Sequence, residues 1–387
     1  MKFSEIMNNI VEVAVNGYVP FVRGLHGTGK SEGMLKAAGM ISERLNKDVT
    51  FHTIDMSHVK EGELTGMPVT TKDEETGCII NTYTTYGLFN NVIKEAKEGY
   101  IPIIFFDEIN RADRVVFNEL MPIILNKRVQ ELELPEETII MAAGNPEDIT
   151  KYKGATDDYA VLPMDPALKD RFFIFELDVD PVEWLKWANE KDEETNKRHI
   201  HEDIIEYISE YPKMLHFLSN SEINPTPRAW KMFSDVYAGL LSHKSLEAVE
   251  DSVVTLGGGK IGTDTTINFL RFIKSNKNPL LKPQDFFGAK ITEDKFKENL
   301  NKLASDTPTR QYISINNITE YYAKSLEGLK KPEKDKLVGK YCQILWKMPN
   351  DILIGSLKEM LENNKKALNE ITRYDPKKIT EVQKYLI

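Results

Sequence analysis

The chain has 387 residues, 41% hydrophobic and 28% charged, with a formal net charge of −10. That length supports two or three domains with a sizeable core, and the composition is that of an ordinary globular protein. The acidic balance argues against a nucleic-acid groove as the main surface, because phosphate backbones are held by clustered Lys and Arg. Cys78 and Cys342 lie far apart without metal-ligand spacing, which reads as two free thiols in a reducing cytosol. No apolar run reaches the roughly 18 residues of a membrane span. A cytoplasmic location is expected.

Phe3, Ile6, Met7, Ile10, Val13 and Ala14 recur at helical spacing beside Glu5 and Glu12, which predicts a helix packed on a core rather than a secretory leader. Residues 18–23 read as a short buried strand and 31–44 as a helix. Between them, Gly24-Leu25-His26-Gly27-Thr28-Gly29-Lys30-Ser31 fits the phosphate-loop pattern G-x-x-x-x-G-K-[ST] at every fixed position. Gly24, Gly27 and Gly29 let the backbone curl so that successive N–H groups face phosphate oxygens. Lys30 supplies a cation for the β- and γ-phosphates, and the Ser31 hydroxyl is placed for Mg²⁺. The phosphates would sit on the positive end of the helix. The stretch predicts binding of a nucleoside triphosphate with magnesium.

A second strand is expected over 49–55, with His52 as a satisfied half-buried side chain. Residues 60–86 read as a β-hairpin inserted between two helices, either decoration or an arm that touches a substrate or neighbour. After a helix over 87–99, residues 101–108 form a near-continuous apolar run ending in Asp107 and Glu108, as in a parallel strand covered on both faces. Ligands bind at the C-terminal ends of such strands. Asp107 would hold the magnesium and its water shell, and Glu108 would orient and deprotonate the attacking water. A Pro122-containing helix is expected over 114–127, then a strand-like 129–134. A further buried strand over 138–143 ends at Gly144-Asn145-Pro146, where the Asn145 amide can bond the γ-phosphate and the water together. Arg171 falls between a short helix and a last strand over 172–177, either paired with Asp170 or presented outward.

Five strands with intervening helices predict a doubly wound parallel α/β sheet. From Asp180-Pro181 onward helices dominate. Thr226-Pro227 is a helix start, placing Arg228 in a first turn where the macrodipole disfavours a cation unless an anion joins it. Gly257-Gly258-Gly259-Lys260 reads as a flexible turn, 276–290 as a linker, and the remainder as charged helices. The expected domains are 1–180 (nucleotide binding), 181–275 (helical lid) and 276–387 (helical extension).

On these residues the chain resembles the AAA+ ATPases, within them the MoxR-like and dynein-related group. Residues 24–31 look like Walker A, 103–108 like Walker B, and 143–146 like the sensor 1 loop. Asp107-Glu108-Ile109-Asn110-Arg111-Ala112 is close to a run common in MoxR-like proteins. Pro227-Arg228-Ala229-Trp230 resembles their sensor 2, and residues 63–69 with the hairpin resemble their helix-2 insert. The resemblance implies ATP and Mg²⁺ as cofactors and a homo-oligomeric ring, usually a hexamer. In that ring Arg171 reaches the neighbour's nucleotide and Arg228 its own, with Arg111 and Arg114 as rivals for the finger. It further implies a remodelling motor or assembly chaperone acting on a protein client or a separate von Willebrand factor A-type partner. The other readings are a nucleic-acid motor of restriction type, with ATP or GTP as fuel, and a slow nucleotide-gated scaffold.

Overall fold

The computed structural model describes residues 3–72, 74–75, 78–148, 163–192, 195–219, 221–275 and 279–383. The chain divides into two compact units. One comprises residues 1–184 and 213–266, the other 185–212 and 267–387.

The first unit opens with α1 (Phe3–Val15), β1 (Val19–Arg23), α2 (Lys30–Leu45) and β2 (Val49–Asp55). The insert follows as β3 (Pro68–Lys72) and β4 (Ile79–Tyr83), an antiparallel hairpin whose Asp73, Thr76 and Gly77 lie outside the described residues. It sits between β2 and α3 (Gly87–Lys97), not between two helices, because residues 56–66 form turns. Gly62 and Gly66 take left-handed backbone there, and a Cβ on Gly66 would fall on the Thr84 carbonyl. Next come β5 (Ile101–Asp107), α4 (Arg114–Asn126), β6 (Arg128–Val129), β7 (Leu132–Glu133) and β8 (Ile139–Gly144). The single strand expected over 129–134 is a two-residue hairpin instead, turned by Gln130 at φ 52°. α5 (Pro166–Lys169) and β9 (Phe172–Glu176) complete the sheet.

Five parallel strands run in the order β2-β5-β8-β1-β9. Alternation along β5 explains its unbroken apolar run. Ile103 and Phe105 enter a core with α1 and α2, whereas Ile104 and Phe106 enter another with α3 and α4. His52 is half-buried and bonded through Nε2 to Glu95 at 2.6 Å.

Helix α6 (Pro181–Asn189) carries the chain from the first unit into the second, which holds α7 (Glu202–Glu210). The chain returns to the first unit for α8 (Pro227–Leu241) and α9 (Leu246–Ile261), and leaves it within α10 (Thr263–Ser275). Gly257–Gly259, expected as a turn, lie inside α9. A Cβ on Gly257 would meet Thr266 Cγ2 at 2.5 Å and Phe233 at 3.0 Å, so the glycine serves close packing. The chain turns at Gly262, φ 88°.

The second unit continues with α11 (Gln284–Phe287), α12 (Glu293–Ser305), α13 (Pro308–Ser325), α14 (Lys331–Leu345), α15 (Asn350–Asn363), α16 (Lys365–Tyr374) and α17 (Pro376–Gln383). The expected linker is partly core, since Leu281 and Phe286 are buried against α12–α14 residues. Leu345, Ile352 and Leu357 are buried as their spacing suggests, whereas Tyr321 and Leu361 face outward. Among the described residues no helix is long and apolar enough to cross a membrane.

Candidate active site

Sheet order places the chemistry. β8 lies between β5 and β1, so the loop after β8 emerges between the phosphate loop and the acidic end of β5. Gly27 and Gly29 adopt φ 69° and 93°, the left-handed backbone that the loop requires. Gly24 has a different reason, since a Cβ there would stand 3.0 Å from the Leu177 carbonyl. Thr28 turns inward, its hydroxyl donating to the Leu25 carbonyl at 2.8 Å.

Lys30, only 7% exposed, donates from Nζ to Gly24 O at 2.8 Å, Leu25 O at 3.1 Å and Asn145 Oδ1 at 3.2 Å. Burial lowers its pKa, while the carboxylates of Glu108 and Asp107 oppose the fall. The Ser31 hydroxyl donates to Asp107 Oδ2 at 2.7 Å. Glu108 breaks the strand with φ 52°, a conformation uncommon for a side-chain-bearing residue, and its N–H donates to Asp107 Oδ1 at 2.9 Å. Its Oε2 accepts from Asn145 Nδ2 at 2.5 Å. Asn145 thus joins cation to carboxylate, oxygen toward Lys30 and nitrogen toward Glu108, the one amide orientation that suits both.

Asn145 is itself held by Asn110, whose part in the site the sequence does not disclose. The fully buried Asn110 donates from Nδ2 to Asn145 O at 2.6 Å and accepts from Asn145 N at 3.1 Å. A Cβ on Gly144 would stand 2.5 Å from Asn110 Oδ1. Only the folded chain brings the two asparagines together, across 35 positions.

Helix α8 closes on the loop within the same unit. Thr226 caps it, accepting from Ala229 N at 3.0 Å, and a Cβ on Gly27 would come 2.5 Å from Thr226 Oγ1. The Arg228 N–H donates to Gly27 O at 3.2 Å. Burial, then the charges of Lys30, Arg228 and Arg111, lower the pKa of His26, so these cations gather about the loop. Arg111 Nε lies 3.6 Å from Glu108 Oε2. Arg171 is apart from this cluster, its side chain 48% exposed and its Nη1 3.5 Å from Asp170 Oδ2. Arg114 is exposed at the start of α4.

The residues fit a magnesium nucleotide. Ser31 and Asp107 present a hydroxyl and a carboxylate one hydrogen bond apart, hard oxygen donors that suit Mg²⁺ alongside phosphate. Among the described residues there is no cluster of three His, Cys, Asp or Glu side chains to hold a metal without phosphate. When bound, the ion would neutralise phosphate charge.

A phosphate loop after one strand, paired acids at the end of another and an amide on the strand between define a P-loop NTPase of the AAA+ class. Residues 21–172 match the AAA domain (dynein-related subfamily), and this segment is a domain of that family. Proteins built on it are nucleotide-driven and generally hydrolyse ATP. Among solved structures, the chain is similar to the RuvB Holliday junction branch migration motor of Thermotoga maritima. The two are 16% identical, with 89% of this chain and 86% of that one covered, at a TM-score of 0.30. A mutant form of the same RuvB is 14% identical, with 92% and 87% covered and a TM-score of 0.30. Likeness this loose carries nothing beyond itself. No curated protein matches the chain.

Proposed function

We propose that this chain is an ATP-hydrolysing ring motor of MoxR-like type that remodels or assembles a protein partner. The carrying observation is the bonded set Lys30–Asn145–Glu108 beside Ser31–Asp107. In this reading Lys30 neutralises the β- and γ-phosphates, Ser31 and Asp107 hold magnesium, and Glu108 takes a proton from the attacking water. Asn145 fixes the water against the γ-phosphate. Gly24, Gly27, Thr28 and Gly29 shape the phosphate cradle. Arg228, one hydrogen bond from the loop backbone, serves the chain's own nucleotide and makes the α8 segment a lid. Arg171, half exposed and outside the cluster, serves the neighbour's, so ring closure completes the site. The net charge of −10 supports a protein rather than a nucleic-acid track.

The test is nucleotide turnover against protein concentration for wild type, Glu108→Gln and Arg171→Ala. Turnover per subunit should rise as rings form. Glu108→Gln, which preserves shape and the acceptor for Asn145, should bind ATP without cleaving it. Arg171→Ala should bind normally and turn over slower by about 10³-fold or more at every concentration. Turnover that does not depend on concentration refutes the shared site. Hydrolysis that requires duplex or single-stranded DNA refutes the protein client.

A further inference from the structure

The second unit contains a cleft of about 510 Å³, within the range of small-molecule sites. It has no part in the nucleotide chemistry. One wall is a face of α13, where Asn317, Glu320, Tyr321 and Lys324 recur at helical spacing. A second is α7, through Glu202, Ile205 and Glu206. Lys191 and Arg198 meet across an antiparallel bridge, so their side chains leave on the same face. Lys282 completes the ring of cations.

These charges form two trios. Lys191 and Lys324 share Glu320, Lys324 at 2.8 Å. Arg198 and Lys282 share Glu202, at 3.9 Å and 3.2 Å. Each trio holds two cations and one carboxylate, leaving one positive charge. The Arg198 guanidinium has Glu202 as its nearest carboxylate, at 3.9 Å. Its Nη2 donates to Asn317 Oδ1 at 3.0 Å, where Asn189 also donates at 3.1 Å. An amide oxygen holding two donors fixes the arginine in place without neutralising it. Glu206 is the remaining acid of the lining. Its carboxylate is already engaged by the Leu280 N–H at 3.2 Å, and burial, against that bond and the Lys282 charge, raises its pKa. Burial also acts on Glu320, but hydrogen bonds from Lys191 and Lys324 win and keep it ionised. An ordinary surface network would pair each cation with its own acid. Here four cations around a concavity face three carboxylates, two of which are each shared between two cations.

We infer that this cleft binds a small organic dianion, either a dicarboxylate with one carboxylate at each trio or a phosphate monoester whose single phosphate sits at one trio. The site stands independently of the ATPase reading.

Calorimetric titration of the full chain tests it. The probes are succinate and glycerol 3-phosphate, with succinamide and glycerol as neutral counterparts. The proteins are wild type, Lys30→Ala, Lys282→Ala and Arg198→Gln/Lys324→Ala. At least one dianion should bind saturably to wild type and equally well to Lys30→Ala, which disarms the phosphate loop as a competing site. Which of the two binds more tightly separates carboxylate from phosphate recognition. The double variant should weaken binding at least tenfold, or about 1.4 kcal/mol. Lys282→Ala removes a half-exposed charge, and should weaken binding about threefold. Its thermal melt should match wild type, which covers the case of a misfolded double variant. Absence of saturable binding overturns the inference, as do equal binding of the neutral probes, loss in Lys30→Ala alone, or full affinity in Lys282→Ala together with a folded double variant.

Discussion

Asn110→Ala offers the sharpest test of how the site is built. Asn110 makes two bonds to the backbone of Asn145, at 2.6 and 3.1 Å, and is fully buried. Truncation leaves the Asn145 N–H and C=O without these partners where water has little access. Each of the two orphaned groups costs about 1–3 kcal/mol, so a stability loss of about 2–6 kcal/mol is expected. That is a large share of the roughly 5–15 kcal/mol that holds a domain together. Catalysis should suffer separately. Asn145 spans Lys30 and Glu108 through bonds of 3.2 and 2.5 Å, and a shift of about 1 Å in a positioning group costs on the order of 100-fold in rate. The expected result is kcat for ATP down by about 10–100-fold with nucleotide affinity changed less than about threefold. The measurements are steady-state turnover, binding of a fluorescent ATP analogue and urea denaturation. Gly144→Ala should reproduce the kinetic effect, because its Cβ would intrude to 2.5 Å from Asn110 Oδ1. A folded Asn110→Ala protein with kcat within about twofold of wild type refutes the role of Asn110 as the brace of Asn145.

Gly27→Ala meets two obstacles, a left-handed φ of 69° and a Cβ 2.5 Å from Thr226 Oγ1. Nucleotide titration should show ATP binding weakened by about tenfold or more, since strain of about 1–3 kcal/mol falls on the loop itself. At Gly257 two effects compete. Alanine gains about 1 kcal/mol of helix propensity, but its Cβ would stand 2.5 Å from Thr266, and overpacking costs about 1–3 kcal/mol. Denaturation should find Gly257→Ala destabilised, and a stabilised variant would show that the close approach is not needed. Acid should weaken the first unit through His216, which burial, reinforced by the charge of His26, holds at about 4. The unfolded chain takes up that proton near pH 6.5, so stability falls as pH drops from about 6.5 to about 4, by at most about 3 kcal/mol, and levels off below. His216→Gln should remove part of the difference between urea midpoints measured at about pH 7.5 and about pH 4.5.

The parts of this molecule legible in sequence are those whose residue types answer to chemistry at short range. The glycine spacing of residues 24–29, the apolar run into Asp107 and the amide after β8 each state a local requirement, and the structure assembles them at one end of one sheet. Local preference misleads where a distant contact overrides it. Three glycines at 257–259 favour a turn, but they lie inside α9, where the missing Cβ at Gly257 lets Thr266 and Phe233 approach. Two prolines near Phe286 favour a linker, but burial of Leu281 and Phe286 draws the segment into a core. Asn110 illustrates the remaining limit. Its neighbours in sequence place it at the site, yet its function is a pair of bonds to a residue on another strand's end. The cleft of the second unit is likewise invisible along the chain, because Lys191, Arg198, Lys282 and Lys324 share a space only after α7 and α13 have packed.

Charge around the nucleotide site connects this local geometry to the proposed ring. Arg111 and Arg228 act on Lys30 from one side of the balance, and Glu108 and Asp107 from the other. Three cations against two carboxylates leave a single positive charge. A triphosphate tail carries about four negative charges, and magnesium returns two of them. The local balance is therefore about one cation short as charge builds on the γ-phosphate. Arg111 cannot make up the difference by changing roles, since it is already counted and lies 3.6 Å from the Glu108 carboxylate. Arg171 belongs to no such account. It is half exposed, and its ion pair among the described residues is with a neighbouring aspartate at 3.5 Å that is itself largely solvated. A screened pair of that kind is weak, so its guanidinium can turn to an adjoining subunit at little cost. In the proposed ring the deficit at one site and the surplus at the junction before β9 would be two sides of one interface, and this is the physical reason for expecting hydrolysis to depend on assembly.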